Sequence, residues 1–338
     1  MRYINNYYQK YAAHFSSYKT KKQFRKGNKR LGIVIGVSSL RLLEVTVLSP
    51  RDMEITGFAY ISFNNRDMEQ AFNKAQISEW LAQALAEQAV KTKLVSLAIS
   101  LDHVVTSSIV VSSALSSLEI DTLIEHTIEH YIPYRREEIY YDYYRQSPEK
   151  LGDQVTQVSL VAARSEPVNG QLDIVRSAGL IPHHVDIDVL AMQRALQYRM
   201  CVTDTPDCSW FNQAFLLLEI DKSMLRLFLV SKAASEIRWK GSSPLKVGVT
   251  QEIICSILQR LLSILDQDIQ CNANYEIVLI GDNIDNDIVY CIQHSMGLAT
   301  SVLDPFVGFS TRAGLHLQAL QNIAPTMLTA IGLVLRKG

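Results

Sequence analysis

The sequence predicts a mixed α/β fold made of two duplicated, sheet-containing lobes that face each other across a cleft. Three observations predict it. The chain carries 338 residues, 48% of them hydrophobic, enough for two domains with a sizeable core each. Strand-like runs alternate with helical patterns in both halves, which places helices against sheets. And two segments are copies of one unit. Leu31–Leu48 (LGIVIGVSSLRLLEVTVL) and Leu216–Val230 (LLLEIDKSMLRLFLV) each read as an apolar strand, a short polar turn and a second apolar strand. In register, Ser38-Ser39-Leu40-Arg41-Leu42 falls on Ser223-Met224-Leu225-Arg226-Leu227, an offset of 185 residues that puts one β-hairpin at the head of each half.

In chain order, residues 1–30 form a basic arm with nine Lys or Arg and no acid, which leaves 24 basic against 34 acidic residues in the rest of the chain. Within it Ile4, Tyr8, Tyr11, Phe15 and Tyr18 recur at steps of four and three, one stripe of a helix. Two readings stand: a stripe laid on an anionic membrane surface, or a solvated tail against the acidic body. Residues 31–199 make the first lobe. Strand-like runs lie at Ile55–Phe63, Leu94–Ser100, Thr106–Val111, Gln157–Ala163 and His184–Asp188, and helical patterns near 66–90, 117–131 and 166–179. Residues 200–213 (MCVTDTPDCSWFNQ) break the periodicity and read as the linker. Residues 214–338 make the second lobe, with the repeated hairpin, a strand at Glu276–Ile280 and helices near 249–268, 285–296 and 325–336.

Composition excludes several classes. Five cysteines, Cys201, Cys208, Cys255, Cys271 and Cys291, are odd in number and lack zinc or disulfide spacing. No run reaches the roughly 18 apolar residues of a membrane span, and no signal-peptide core opens the chain. A reducing cytoplasm is therefore expected. His126-Thr127-Ile128-Glu129-His130 matches the inverted zincin pattern, but it is short and has no third ligand nearby, so no metal site is assigned. Walker loops and nucleophile elbows are absent, and no catalytic residue is assigned. Nucleic acid is not an expected partner, because the acidic body would repel a phosphate backbone.

Ordered landmarks carry a resemblance. They are Gly32-Ile33-Val34-Ile35-Gly36-Val37-Ser38-Ser39, then Glu129-His130-Tyr131-Ile132-Pro133-Tyr134 with Asp142-Tyr143, then Val161-Ala162-Ala163-Arg164, Ala178-Gly179-Leu180 and Val185-Asp186-Ile187-Asp188, and finally Asp304-Pro305-Phe306 and Ala330–Arg336. In order and spacing they resemble the PilM family of actin-like pilus proteins. The resemblance implies an actin-like (ASKHA) fold, with an FtsA-like subdomain inserted in lobe I at about 93–188. It implies a cytoplasmic scaffold held peripherally at the inner membrane of a Gram-negative cell, one that grips the N-terminal cytoplasmic peptide of PilN in a groove of domain I. Pilus motor ATPases and self-association are further partners that it implies. The aromatic and basic cluster Tyr131, Tyr134, Arg135, Arg136, Tyr140 and Tyr141 is the candidate partner-binding set, since Tyr and Arg are favoured interface anchors. The related alternatives are a nucleotide-binding actin-like ATPase and the cytoplasmic scaffold of a type II secretion system.

Relatives that bind ATP need acids for magnesium and glycines that let amides approach the phosphates. In the first loop the acid position holds Val34. In the second, Glu219 keeps the acid but Asp221 replaces the glycine, which sets a carboxylate against the phosphates. In the third, Ile280-Gly281-Asp282-Asn283 keeps one glycine. Gly36, Ser38, Ser39, Glu219 and Gly281 thus mark a residual ATP site, weak or lost, and turnover is not expected.

Overall fold

The computed structural model of the chain describes residues 27–49, 51–63, 74–145, 154–202, 213–234, 236–246, 248–265, 275–282 and 284–336. Nearly all of the basic arm with its aromatic stripe, and the linker from residue 203 to 212, lie outside these residues.

Each half begins with three antiparallel strands. β1 (Asn28–Ile35), β2 (Ser39–Ser49) and β3 (Asp52–Ser62) form a meander, then α1 (Lys74–Glu87) crosses over to β4 (Leu94–Ile99), which runs parallel to β1. The inserted unit follows: β5 (Val104–Ser112), α2 (Ser117–Tyr131), β6 (Ile139–Arg145) and β7 (Val155–Arg164), which form a three-stranded sheet of order β5-β7-β6 under one helix. α2 opens on a capping box in which Ser116 and Glu119 satisfy each other's backbone amides. It ends at Tyr131 as expected, because Ile132, ahead of Pro133, is extended at φ −121°, ψ 131°. Ile120, Ile124, Ile128 and Ile132 on one face bury against Ile109, Val158 and Leu160 of the sheet. The chain then returns through α3 (Ser165–Ser177) to β8 (Ile181–Ile187), parallel to β4, and on into α4 (Asp188–Val202). The insertion expected at 93–188 is therefore drawn too wide. β4 and β8 are strands of the large sheet, and the inserted sheet with its helix occupies Val104–Arg164.

The second half repeats the plan with β9 (Phe215–Ile220), β10 (Met224–Val230), β11 (Ile237–Pro244), α5 (Gln251–Leu265), β12 (Ile277–Gly281), α6 (Asn286–Met296) and β13 (Thr300–Val302). Its sheet order, β11-β10-β9-β12-β13, mirrors β3-β2-β1-β4-β8. The 185-residue offset holds to the residue: β1 ends at Ile35 and β9 at Ile220, while β2 starts at Ser39 and β10 at Met224.

The C-terminal segment then crosses back. β14 (Phe309–Thr311) pairs with β3 on the outer edge of the first sheet, and α7 (Leu317–Ile323) and a 3-10 turn at Ala324–Thr326 lead to α8 (Leu328–Val334). α8 and α4 form the layer between the two sheets. Their buried residues, among them Ala191, Met192, Leu196, Ile331 and Val334, share one core with Val34, Leu43 and Ile55 from the first sheet and Phe215, Phe228 and Val278 from the second. Among the described residues no single helix is long and apolar enough to cross a membrane.

Candidate functional site: the interlobe cleft and the groove beside it

The two repeated hairpins meet where the lobes face each other, and their turns place equivalent side chains opposite one another. Val34 pairs with Arg41 across β1 and β2, as Glu219 pairs with Arg226 across β9 and β10. The repeat predicts an acid beside each arginine, and only the second hairpin has one. There Arg226 donates to Glu219 Oε2 from Nε at 2.8 Å and contacts the same oxygen through Nη2 at 2.6 Å. Its Nη1 reaches Asp188 Oδ2, at the start of α4, at 2.5 Å. Asp188 Oδ1 in turn accepts the amides of Leu101 and Val189. Both carboxylates are buried, and the Arg226 side chain is 14% exposed. Burial alone would lower the pKa of Arg226, but Glu219 and Asp188 raise it, so the guanidinium stays charged. Burial pushes the carboxyl of Glu219 up, while Arg226 and Arg41 pull it down. The two short contacts are those of an ionised pair.

With Val34 paired to it, Arg41 has no acid across from it on its own hairpin and turns to the other lobe. It is buried, with Nη2 3.6 Å from Asp221 Oδ2. Ser38 donates its hydroxyl to Asp221 Oδ1, which also accepts the Lys222 amide at 2.5 Å. Lys222 Nζ donates to Ser62, and Tyr60 donates to Asp282 Oδ1 at 2.7 Å. Side chains of loops one, two and three thus tie the lobes directly together. The expected repulsion between Asp221 and a triphosphate is replaced by these contacts, which take up the first loop's serine.

The residues present do not fit a magnesium-bound triphosphate. Val34 offers no ligand, Asp221 holds the serine that would face the phosphates, and Asp282 places a buried carboxylate, its Oδ2 without a hydrogen-bond partner, beside the third loop. Burial raises the carboxyl of Asp282, with Arg41 and Tyr60 opposing the rise and Asp221 adding to it. Gly281 survives for a reason of its own. Its φ is +114°, and a Cβ there would lie 2.1 Å from the Ile220 carbonyl oxygen, so the backbone requires glycine whether or not a nucleotide binds. Ser39 is fully buried and its Oγ has no partner. Gly36 keeps an ordinary negative φ.

A groove of about 530 Å³ opens on the far side of β8, where the inserted sheet meets the large one. Two sheet-edge strands flank it: β6, outermost in β5-β7-β6, and β8, outermost beside β4. Ile99, Val104, Val161, Val168, Leu172 and Val185 give it apolar walls, with Asp142, Arg176, Asp186 and Arg336 as its charged groups. Asp186 is held by Arg194 at 2.8 Å and Arg336 at 3.1 Å. Of the six candidate partner residues, Tyr140 and Tyr141 line the groove and the other four do not. Tyr140 donates to Asn169 at 2.9 Å, and Arg136 stacks over the Tyr141 ring at 4.6 Å. Tyr134 packs in the subdomain core beneath Arg164, and Tyr131 and Arg135 are exposed at the helix end. The apolar walls escape sequence reading because each comes from a different element and none is part of a local pattern.

His126 and His130 lie exposed on α2, and Glu129 accepts the Arg136 amide at 2.8 Å, which caps the next turn. Among the described residues no group of three or more His, Cys, Asp or Glu is placed to hold a metal.

Next to the groove, burial together with the charges of Arg336 and His183 lowers His184 to about 4. The unfolded chain takes up this proton near the ordinary value of about 6.5, before the folded one does. Stability from this group is therefore complete above that value and is lost as the pH falls toward 4. Denaturant midpoints measured between pH 7.5 and 4.5 should show this acid limb, and His184→Gln should flatten it.

Three solved structures and one family are similar to this chain. A solved PilM–PilN type IV pilus biogenesis complex matches 92% of this chain and 98% of the other at 21% identity, with a TM-score of 0.65. The cytoplasmic domain of EpsL, an inner-membrane component of the Vibrio cholerae type II secretion system, matches 88% and 94% at 11% identity with a TM-score of 0.42. The ethanolamine utilization protein EutJ of Carboxydothermus hydrogenoformans matches 98% of each chain at 9% identity with a TM-score of 0.46. The first of these shares the two-lobed actin-like fold described here. The family described as type IV pilus assembly protein PilM matches residues 32–237, which is more than half of the chain and takes in both hairpin turns, the inserted subdomain and all of the named groove residues except Arg336. By that match, the chain belongs to the PilM family of type IV pilus assembly proteins.

Proposed function

We propose that this protein is a non-enzymatic adaptor of type IV pilus assembly that captures the N-terminal cytoplasmic tail of a PilN protein in the groove between β6 and β8. The observation that carries this reading is the groove itself. Two strands that are outermost in their sheets among the described residues flank an apolar trough, and an extended peptide laid along either edge gains main-chain hydrogen bonds while its alternate side chains enter the trough. The PilM–PilN complex that shares the fold supports the choice of partner. The interlobe cleft supports the absence of turnover, because its side chains are committed to one another and supply no metal ligands at position 34. In this reading the protein works at the cytoplasmic face of the inner membrane and passes the PilN tail's position on to motor ATPases. The charge of its basic arm, residues 1–30, suits attraction to an anionic membrane surface. The family match favours the pilus machine over the type II secretion scaffold.

Fluorescence anisotropy with a labelled PilN N-terminal peptide tests the proposal. The full chain is expected to bind without nucleotide. Val185→Arg, at a half-exposed groove position, should weaken binding at least tenfold, a loss of about 1.4 kcal/mol. Equal affinity for the variant, or binding only when ATP and magnesium are added, would refute the reading.

A further inference from the structure

On the outer helical layer of the second lobe, Cys255 of α5 faces Cys291 of α6 with the two sulfurs 3.1 Å apart. This is closer than the roughly 3.5–4.0 Å at which non-bonded atoms settle. Only about 1 Å of further approach separates the pair from a disulfide bond. Neither sulfur is bonded in this structure. Cys255 is buried with Leu258, Ile288 and Ile292, whereas Cys291 is partly open to solvent and has the Ser295 hydroxyl 4.0 Å away. The two thiols thus divide the work that a reversible disulfide requires. One can be reached from solvent, and the other is shielded and already in contact with it.

We propose that Cys255 and Cys291 form a reversible disulfide on exposure to a hydroperoxide, stapling α5 to α6. The Cys291 thiolate attacks the peroxide oxygen, the O–O bond breaks, and a sulfenic acid forms on Cys291 as one water or alcohol leaves. The Cys255 sulfur then attacks the Cys291 sulfur and the S–O bond breaks. The hydroxyl departs as water with the Cys255 proton. Per peroxide, two thiols lose two hydrogens and a dithiol reductant restores them. Burial and the neighbouring Cys291 push the Cys255 thiol up to about 11, which disfavours Cys255 as the thiol that meets the peroxide first. The closed loop spans 36 residues in sequence and contains β12 with Gly281 and Asp282. Oxidation thus braces the part of the second lobe that presents the third loop to the cleft.

The test is differential alkylation of the full chain, with and without hydrogen peroxide, followed by peptide mapping. The expected result is a Cys255–Cys291 cross-linked peptide that appears with peroxide and disappears with dithiothreitol. The melting temperature should rise on the order of 5 °C in the oxidised protein, and Cys291→Ala should abolish both changes. Two outcomes would overturn the proposal: both cysteines remaining alkylatable after unfolding of the peroxide-treated protein, or the cross-link mapping to another pair such as Cys255–Cys271.

Discussion

Arg226→Met is expected to destabilise the protein by about 3–5 kcal/mol, the range for removing one member of a buried ion network. The guanidinium sits between Glu219 and Asp188, which lie on different lobes and have side chains only 5% and 7% exposed. Methionine matches much of the arginine stem in volume, so the loss is one of charge compensation more than of packing. Two carboxylates are then left buried with no cation between them, and a proton must be taken up or water admitted. The triple variant Arg226→Met/Glu219→Leu/Asp188→Asn separates this cause from mere truncation. It removes both negative charges, and the carboxamide introduced at position 188 keeps an oxygen for the amides of Leu101 and Val189. Most of the lost stability should return, since buried ion networks replaced by apolar groups are often neutral. Urea denaturation gives both numbers. A single variant within about 1 kcal/mol of the parent would show that the network carries little.

Gly332→Ala is expected to be as damaging, against what helix propensity says. In an ordinary helix the change gains about 1 kcal/mol. Here Gly332 lies in α8 where α4 crosses it, and a Cβ would stand 1.8 Å from the Ala191 carbonyl oxygen. That neighbour is backbone, so it cannot rotate away, and the two central helices must move apart inside a packed core. Overpacking of this kind costs about 1–3 kcal/mol where side chains can yield and more where they cannot, so a net loss of at least roughly 3 kcal/mol is expected. The melting temperature should fall by about 4 °C or more. Gly297→Ala is the control: it replaces the left-handed cap of α6, where a Cβ meets nothing within 4 Å. Its cost should stay near about 1 kcal/mol.

The duplicated hairpin was legible because its signal is local: two apolar runs, a polar turn and the repeated Leu-Arg-Leu. The helix at Asp188–Val202 was not. It is covered by the sheets and by α8, and even Gln193 and Arg199 are buried, so no polar stripe marks a period of 3.6. β13 and β14, three residues each, are too short for any pattern to show. In the cleft, sequence reading identified Val34 and Asp221 as departures from the acid and glycine pattern. It had no means of seeing that they are linked. Without an acid at position 34, Arg41 turns across the cleft to the carboxylate at position 221. The groove was half visible through Tyr140 and Tyr141, which stand out as aromatics, while Val168, Leu172 and Val185 look like ordinary core until the inserted sheet is set beside β8.

The return of the C-terminal segment into the first sheet sets a timetable for synthesis. β1 is made early, yet α8, with Ala330 and Leu333 packed closely on Gly32, is made only after the strands of both sheets. Until then α4 is the one helix of that layer in place, and the strand surface under α8 has no cover. A nascent chain of this protein therefore carries exposed apolar strand surface until α8 is made, and it closes its centre through contacts of very high sequence separation.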